Sequence, residues 1–220
     1  PNARTLDPKF SKLAAVELLM NDQLEEKQWI VWMDNDILFT NFDPRFEDLI
    51  EQYAHSETNL IIARDLRYDL QIINTGIFLL RNSAWSRKFI STITNSSEAR
   101  EKSRLDEMSL KDQPVIIKYL LDEGEIEDIR EDSIRINRHV SIIPTRKMNS
   151  FCRPYIRYRV HDSSNIGSGI WHPGDFIAHF TGTHQVTERY SAMADLLESM
   201  SEANGDWHNI KVNPCLNYKA

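Results

Sequence analysis

The sequence predicts an α/β fold of Rossmann type, with a central mixed but mostly parallel sheet flanked by helices. Three observations carry that expectation. Short continuous apolar runs, Trp29-Ile30-Val31-Trp32-Met33 and Leu60-Ile61-Ile62-Ala63 among them, have the composition of strands buried on both faces. Stretches with apolar residues at helical spacing alternate with those runs. Neither a repeat nor a Pro/Gly-rich linker divides the 220 residues, so one domain over residues 1–220 is expected.

Residues 10–24 place Phe10, Leu13, Ala14 and Leu18 near helical spacing, with Asp7 and Ser11 as upstream caps. The run at residues 29–33 follows as a strand and stops abruptly at Asp34-Asn35-Asp36. Asn41-Phe42-Asp43-Pro44 then reads as a turn into a helix whose inner face is Phe46, Leu49, Ile50 and Tyr53. Residues 60–63 form a second strand that ends in Arg64-Asp65. Residues 72–80 form a third, interrupted by Asn74-Thr75-Gly76. Ser83 is placed to cap a helix through Trp85, Phe89 and Ile93. The charged residues 97–106 read as a solvent-facing connection. A helix at residues 112–121 turns Val115, Ile116, Tyr119 and Leu120 inward, and residues 133–143 are extended. Residues 177–180 are a last short strand before Thr181-Gly182-Thr183-His184, and residues 185–200 form a closing amphipathic helix.

Composition narrows the function. A formal net charge of -7 argues against nucleic acid as a partner, because phosphate backbones need clustered Lys and Arg. The one short basic stretch, Arg153 to Arg159 with Tyr155 and Tyr158 interleaved, suits a polyanion pocket instead. No apolar run approaches the roughly 20 residues that span a bilayer, and the chain starts at Pro1 without a signal-peptide pattern, so it reads as a trimmed domain. Two cysteines, Cys152 and Cys215, fit no zinc cluster and can pair once in an oxidising compartment. The triplet Asn95-Ser96-Ser97 would suit a secretory lumen.

Asp34-Asn35-Asp36 is the sharpest chemical signal. It puts two carboxylates just past the carboxyl end of a buried strand, the edge where open α/β sheets bind ligands. Like charges so placed repel unless something positive lies between them. Hard oxygen ligands suit Mg²⁺ or Mn²⁺ bridging to phosphate. The plain alternative is a pair of turn aspartates. His179, in Ala178-His179-Phe180-Thr181-Gly182, is either a structural histidine or a third ligand, and an imidazole would favour Mn²⁺. Asn74-Thr75-Gly76 is either a bulge or an amide presented to sugar hydroxyls. Asp112-Gln113-Pro114 is either a helix start or part of a site. Of the five tryptophans, Trp29, Trp32 and Trp85 read as packing, and Trp171 has the loop surroundings of an exposed platform.

In combination these stretches resemble glycosyltransferase family 34, a group of α-galactosyl-, α-mannosyl- and α-xylosyltransferases with a GT-A fold. The resemblance rests on Phe10-Ser11-Lys12-Leu13, residues 29–36, residues 73–82 with Trp85-Ser86, Asp112-Gln113, and His179-Phe180-Thr181-Gly182, in the family's order. It implies Mn²⁺-dependent transfer of a hexose or pentose from a nucleotide diphosphate sugar to a glycan acceptor, with retention of anomeric configuration. It also implies that Asp34, Asp36 and His179 hold the metal (Mn²⁺ or Mg²⁺), that Asn74 and Gly76 line a sugar, and that Asp112 and Gln113 lie near the anomeric carbon. Asp65, Gly182 and His184 would help to place the donor. The family suits a Golgi lumen with a membrane anchor outside this chain, and a microbial cytoplasm is the other setting.

Two departures stand out. The chain starts after the strand and helix that usually hold the base, and His184 occupies the place of a basic residue that touches the diphosphate; Arg153, Arg157 or Arg159 would then supply that charge. Two competing readings use the same residues. An aspartyl-phosphate phosphotransferase would use Asp34 as nucleophile, although Leu38 stands where that pattern wants Thr or Val. A non-catalytic sugar-binding domain of the same fold would need no metal.

Overall fold

The computed structural model describes residues 10–22, 25–65, 73–100, 112–126, 135–152, 169–181, 186–204, 206–210 and 215. In chain order the elements are α1 (Ser11–Asp22), β1 (Trp29–Met33), β2 (Ile37–Phe39), α2 (Phe46–Tyr53), β3 (Leu60–Arg64), β4 (Ile73–Arg81), α3 (Ala84–Thr94), α4 (Ser97–Arg100), α5 (Asp112–Asp122), β5 (Arg135–Ile136), β6 (Val140–Ile143), α6 (Thr145–Met148), β7 (Ser150–Phe151), β8 (Ile177–His179) and α7 (Val186–Glu202). A 3₁₀ turn at Trp207–Asn209 follows. They group into two compact units, one from Pro1–Trp32 and Ile50–Ile143, the other from Met33–Leu49 and Pro144–Ala220.

The first unit holds a sheet of strand order β1-β4-β3-β6-β5. Every residue of β3 is buried, and so is all of β4 but Arg81, as continuous apolar runs require. Phe10, Leu13, Val16 and Met20 from and beside α1 pack with Phe89, Ile90 and Ile93 of α3 and Ile116, Ile117 and Leu120 of α5. Each such side chain contributes roughly 1.5–3 kcal/mol on burial. Ser83 caps α3 as expected, its side chain accepting from the Ser86 amide.

The sheet is mixed, as predicted, but a parallel majority is not what the described pairs give. β3 pairs parallel with β6 and antiparallel with β4, and β5 pairs antiparallel with β6. The cause is connection length. Only residues 65–72 join β3 to β4 and residues 137–139 join β5 to β6, short of the dozen or so residues that a parallel crossover needs. The irregularity expected at Asn74-Thr75-Gly76 is a bulge inside a strand that continues to Arg81. Between the pairs Ile62↔Phe78 and Arg64↔Ile73 the register shifts, so four residues of β4, 74–77, stand against Ala63 alone of β3.

The second unit has a three-stranded sheet of order β2-β8-β7. β2 pairs antiparallel with β8, and β7 pairs parallel with β8. Behind this sheet, Trp171, Ala178 and Phe180 pack with Ala192 and Leu196 of α7 and with the disulfide Cys152–Cys215. Trp171 corrects an expectation. It is fully buried rather than an exposed platform, and its indole Nε1 donates to Thr40 Oγ1 at 2.9 Å. The loop that carries it is braced by Asp175, which accepts from Arg146, Ser150 and the His172 amide. Among the described residues no helix is long and apolar enough to cross a membrane.

Candidate metal centre

In the second unit, the antiparallel pairing of β2 with β8 sets Ile37 opposite His179, and the Phe180 amide donates to the Asp36 carbonyl at 2.9 Å. Residues distant in sequence thereby meet. Asp34, Asp36 and His179 each offer a ligand atom, and these atoms lie within 4.8 Å of one another. Asp36 and His179 are buried, at 8% and 2% exposure, and Asp34 is half-buried.

The orientation of His179 is fixed from behind. Asn149 caps α6, and its Oδ1 lies 2.7 Å from His179 Nδ1. An amide oxygen only accepts, so Nδ1 carries a proton and Nε2 is the atom turned to the carboxylates. Nε2 lies 3.3 Å from Asp36 Oδ1. Apart from that approach, Oδ1 is a buried oxygen with no hydrogen-bond partner among the described residues. The Phe151 ring stacks on the imidazole at 5.7 Å between centroids.

On its other side, Asp36 Oδ2 lies 3.4 Å from an Nη1 of Arg189, in the first turn of α7. Burial works against ionisation of Asp36. The neighbouring His179 ring and the Arg189 guanidinium outweigh it and hold the carboxyl below the usual carboxylate range.

The first unit gathers a second set of predicted residues. Asp65, at the end of β3, accepts at Oδ2 from Gln113 Nε2 at 2.9 Å and from Asn74 Nδ2 at 3.4 Å. Asn74 Oδ1 accepts from the Gly76 amide at 2.9 Å, closing the bulge on itself. Gln113 Oε1 accepts from the Thr75 amide at 3.0 Å. Asp112 is the first residue of α5. Its Oδ2 lies 2.6 Å from Lys12 Nζ and accepts from Thr75 Oγ1 at 2.9 Å. Lys12, only 8% exposed, also donates to the Thr75 carbonyl. A buried lysine facing a buried aspartate is tolerated only with this density of partners.

Asp34, Asp36 and His179 thus converge in one unit, and Asp65, Asn74, Gly76, Asp112 and Gln113 in the other. Gly182, His184, Arg153, Arg157 and Arg159 lie outside the described residues. Lys12, Thr75, Asn149 and Arg189 were not singled out as site residues by sequence. Only Lys12 and Thr75 had a signal, inside the stretches that carry the family resemblance.

Comparison with known proteins bears on this arrangement. Residues 51–189 match the model of the galactosyl transferase GMA12/MNN10 family. The chain is 40% identical over 94 residues to xyloglucan 6-xylosyltransferase 4 of Arabidopsis thaliana, covering 39% of this chain and 17% of that protein. It is 40% identical over 82 residues to probable glycosyltransferase 2 of Oryza sativa subsp. indica, covering 35% of this chain and 16% of that one. The matched part is therefore about a sixth of these relatives' length. A crystal structure of a glycosyltransferase involved in the glycosylation of the major capsid of PBCV-1 superposes with a TM-score of 0.57 at 12% identity, over 85% of this chain and 75% of that one. That likeness concerns the fold, the GT-A-like α/β arrangement expected from the sequence.

Proposed function

The chain belongs to glycosyltransferase family 34, the galactosyl transferase GMA12/MNN10 family, and we propose that residues 1–220 carry the catalytic domain of a divalent-cation-dependent, retaining glycosyltransferase. In this reading a hexose or pentose moves from a nucleoside diphosphate sugar to a glycan acceptor. The observation that carries it is the convergence of Asp34, Asp36 and His179 within 4.8 Å, with one Asp36 oxygen buried and, apart from the His179 ring, without a hydrogen-bond partner among the described residues.

The donor set fits a small hard cation with some affinity for nitrogen, which favours Mn²⁺ over Mg²⁺. Asp34, Asp36 and His179 would hold it, and Asn149 would keep the imidazole in its ligating tautomer. Bound there, the cation would supply charge stabilisation to a departing diphosphate. The remaining work falls to the chain itself. Asp112, held in place by Lys12 and Thr75, is assigned to stabilise positive charge developing at the anomeric carbon. Gln113, fixed through Thr75 and Asp65, is assigned with it. Asn74 and Gly76 on the β4 bulge are assigned to the sugar, and Asp65, Gly182 and His184 to placing the donor. The disulfide Cys152–Cys215 supports an oxidising lumen, such as that of the Golgi, as the working compartment.

The test is a thermal-shift series of nucleoside diphosphates with and without Mn²⁺. A stabilisation confined to one base, dependent on Mn²⁺ and lost in D34A and D36A, is expected. Nucleotide binding that survives both chelation and D36A would overturn the proposal.

A further inference from the structure

The guanidinium of Arg189 stands where the proposed centre would be expected to carry only negative and neutral ligands. Arg189 is placed there by packing. Ala192 and Leu196, three and seven positions further along α7, are buried in the core beside the Cys152–Cys215 disulfide, so Arg189 shares their helix face. Its side chain is accordingly only 26% exposed, and Nη1 reaches Asp36 Oδ2 at 3.4 Å. A surface arginine would be expected to turn to water; this one is held against a carboxylate.

We propose that Arg189 is a built-in counter-cation of the Asp34–Asp36–His179 centre, which weakens its hold on a bare divalent ion and couples cation uptake to arrival of the nucleoside diphosphate. The inference rests on the functional reading above and adds a property to it. Two carboxylates and a neutral imidazole would offer a charge of −2 to the incoming ion. The guanidinium on Asp36 reduces that offer, and an ion bound there would meet a like charge nearby. A diphosphate reverses the balance, because its negative charge is attracted by both the ion and the arginine. Binding of the two ligands then becomes mutually reinforcing, and reciprocally so. In their absence Arg189 partners the buried Asp36 carboxylate.

The experiment is calorimetric measurement of Mn²⁺ binding, with Mn²⁺ alone and then with a nucleoside diphosphate, to the native chain and to R189Q, R189M and R189K. Removing one positive charge at this range should tighten binding of Mn²⁺ alone by about tenfold or more, while nucleoside diphosphate binding in the presence of Mn²⁺ weakens. R189K, which keeps the charge, should stay within about threefold of the native value. A folded neutral variant that binds Mn²⁺ no tighter than the native chain overturns the proposal. Neutral variants that unfold in chelator supply a second readout. Refolding by Mn²⁺ supports the proposal, since the ion then replaces the lost charge, and failure of Mn²⁺ to restore the fold contradicts it. D36N separates this inference from its premise. If D36N abolishes Mn²⁺ uptake but the neutral variants do not tighten it, only the role of Arg189 fails. If the native chain takes up no Mn²⁺ under either condition, the functional reading fails with it.

Discussion

His179 has Asp36 on one side, Asn149 on another and the Phe151 ring against its face. Of these, only Asp36 was legible in the sequence, because a strand that stops at Asp-Asn-Asp announces carboxylates at a sheet edge. Asn149 carries no such mark; it becomes meaningful only when β7 lies beside β8. Replacing it with alanine should lower Mn²⁺-dependent nucleotide affinity about 10- to 100-fold, the usual effect of losing a group that orients a ligating histidine, with the fold retained by circular dichroism. Asp36 gives a second outcome, in pH dependence. Its carboxyl is held below the usual range in the folded protein, so the stability it contributes is present above the unfolded value, about pH 4, and is lost as the pH falls through the folded value. Urea unfolding of the native chain and of D36N should therefore differ near neutrality, and the difference should shrink on acidification.

Thr75 sits on the β4 bulge and links that strand to α5, since its hydroxyl bonds Asp112 and its amide bonds Gln113. Periodicity located the strand and the helix, and glycine inside an apolar run flagged the bulge. What it could not supply was the partner, because α5 follows β4 after some thirty residues of sequence and the contact is set by packing. Strand direction was misread for a similar reason, although the short span between residues 65 and 72 already excluded a parallel crossover. Trp171 was misread because Thr40, the acceptor for its indole, lies on a distant part of the chain. For T75V we expect a loss of about 1–3 kcal/mol in denaturant unfolding, the cost of removing one partner from a buried carboxylate. T75S, which keeps the hydroxyl, should recover most of it.

The residues assigned to the proposed function lie in two units of different construction. The first is held by a five-stranded sheet and a large apolar core. The second has three short strands and a smaller core that includes the disulfide. Cysteine count alone left that pairing open. Closing a separation of 63 residues should stabilise the second unit by about 4 kcal/mol on chain-entropy grounds. Reduction, or the double change C152S/C215S, should therefore lower the melting temperature and weaken Mn²⁺ binding, because α7 and β8 belong to the same unit. A reduced protein with an unchanged melting temperature would show that the core around Trp171 suffices without the bridge.

The central claim is that Asp34, Asp36 and His179 form one cation site that engages a nucleoside diphosphate. Anomalous diffraction from crystals grown with Mn²⁺ and a nucleoside diphosphate tests it most directly. The predicted result is a single strong manganese peak bonded to both carboxylates and to His179 Nε2, with diphosphate oxygens completing its coordination. A nucleotide bound in order with no manganese at those three residues would contradict the account.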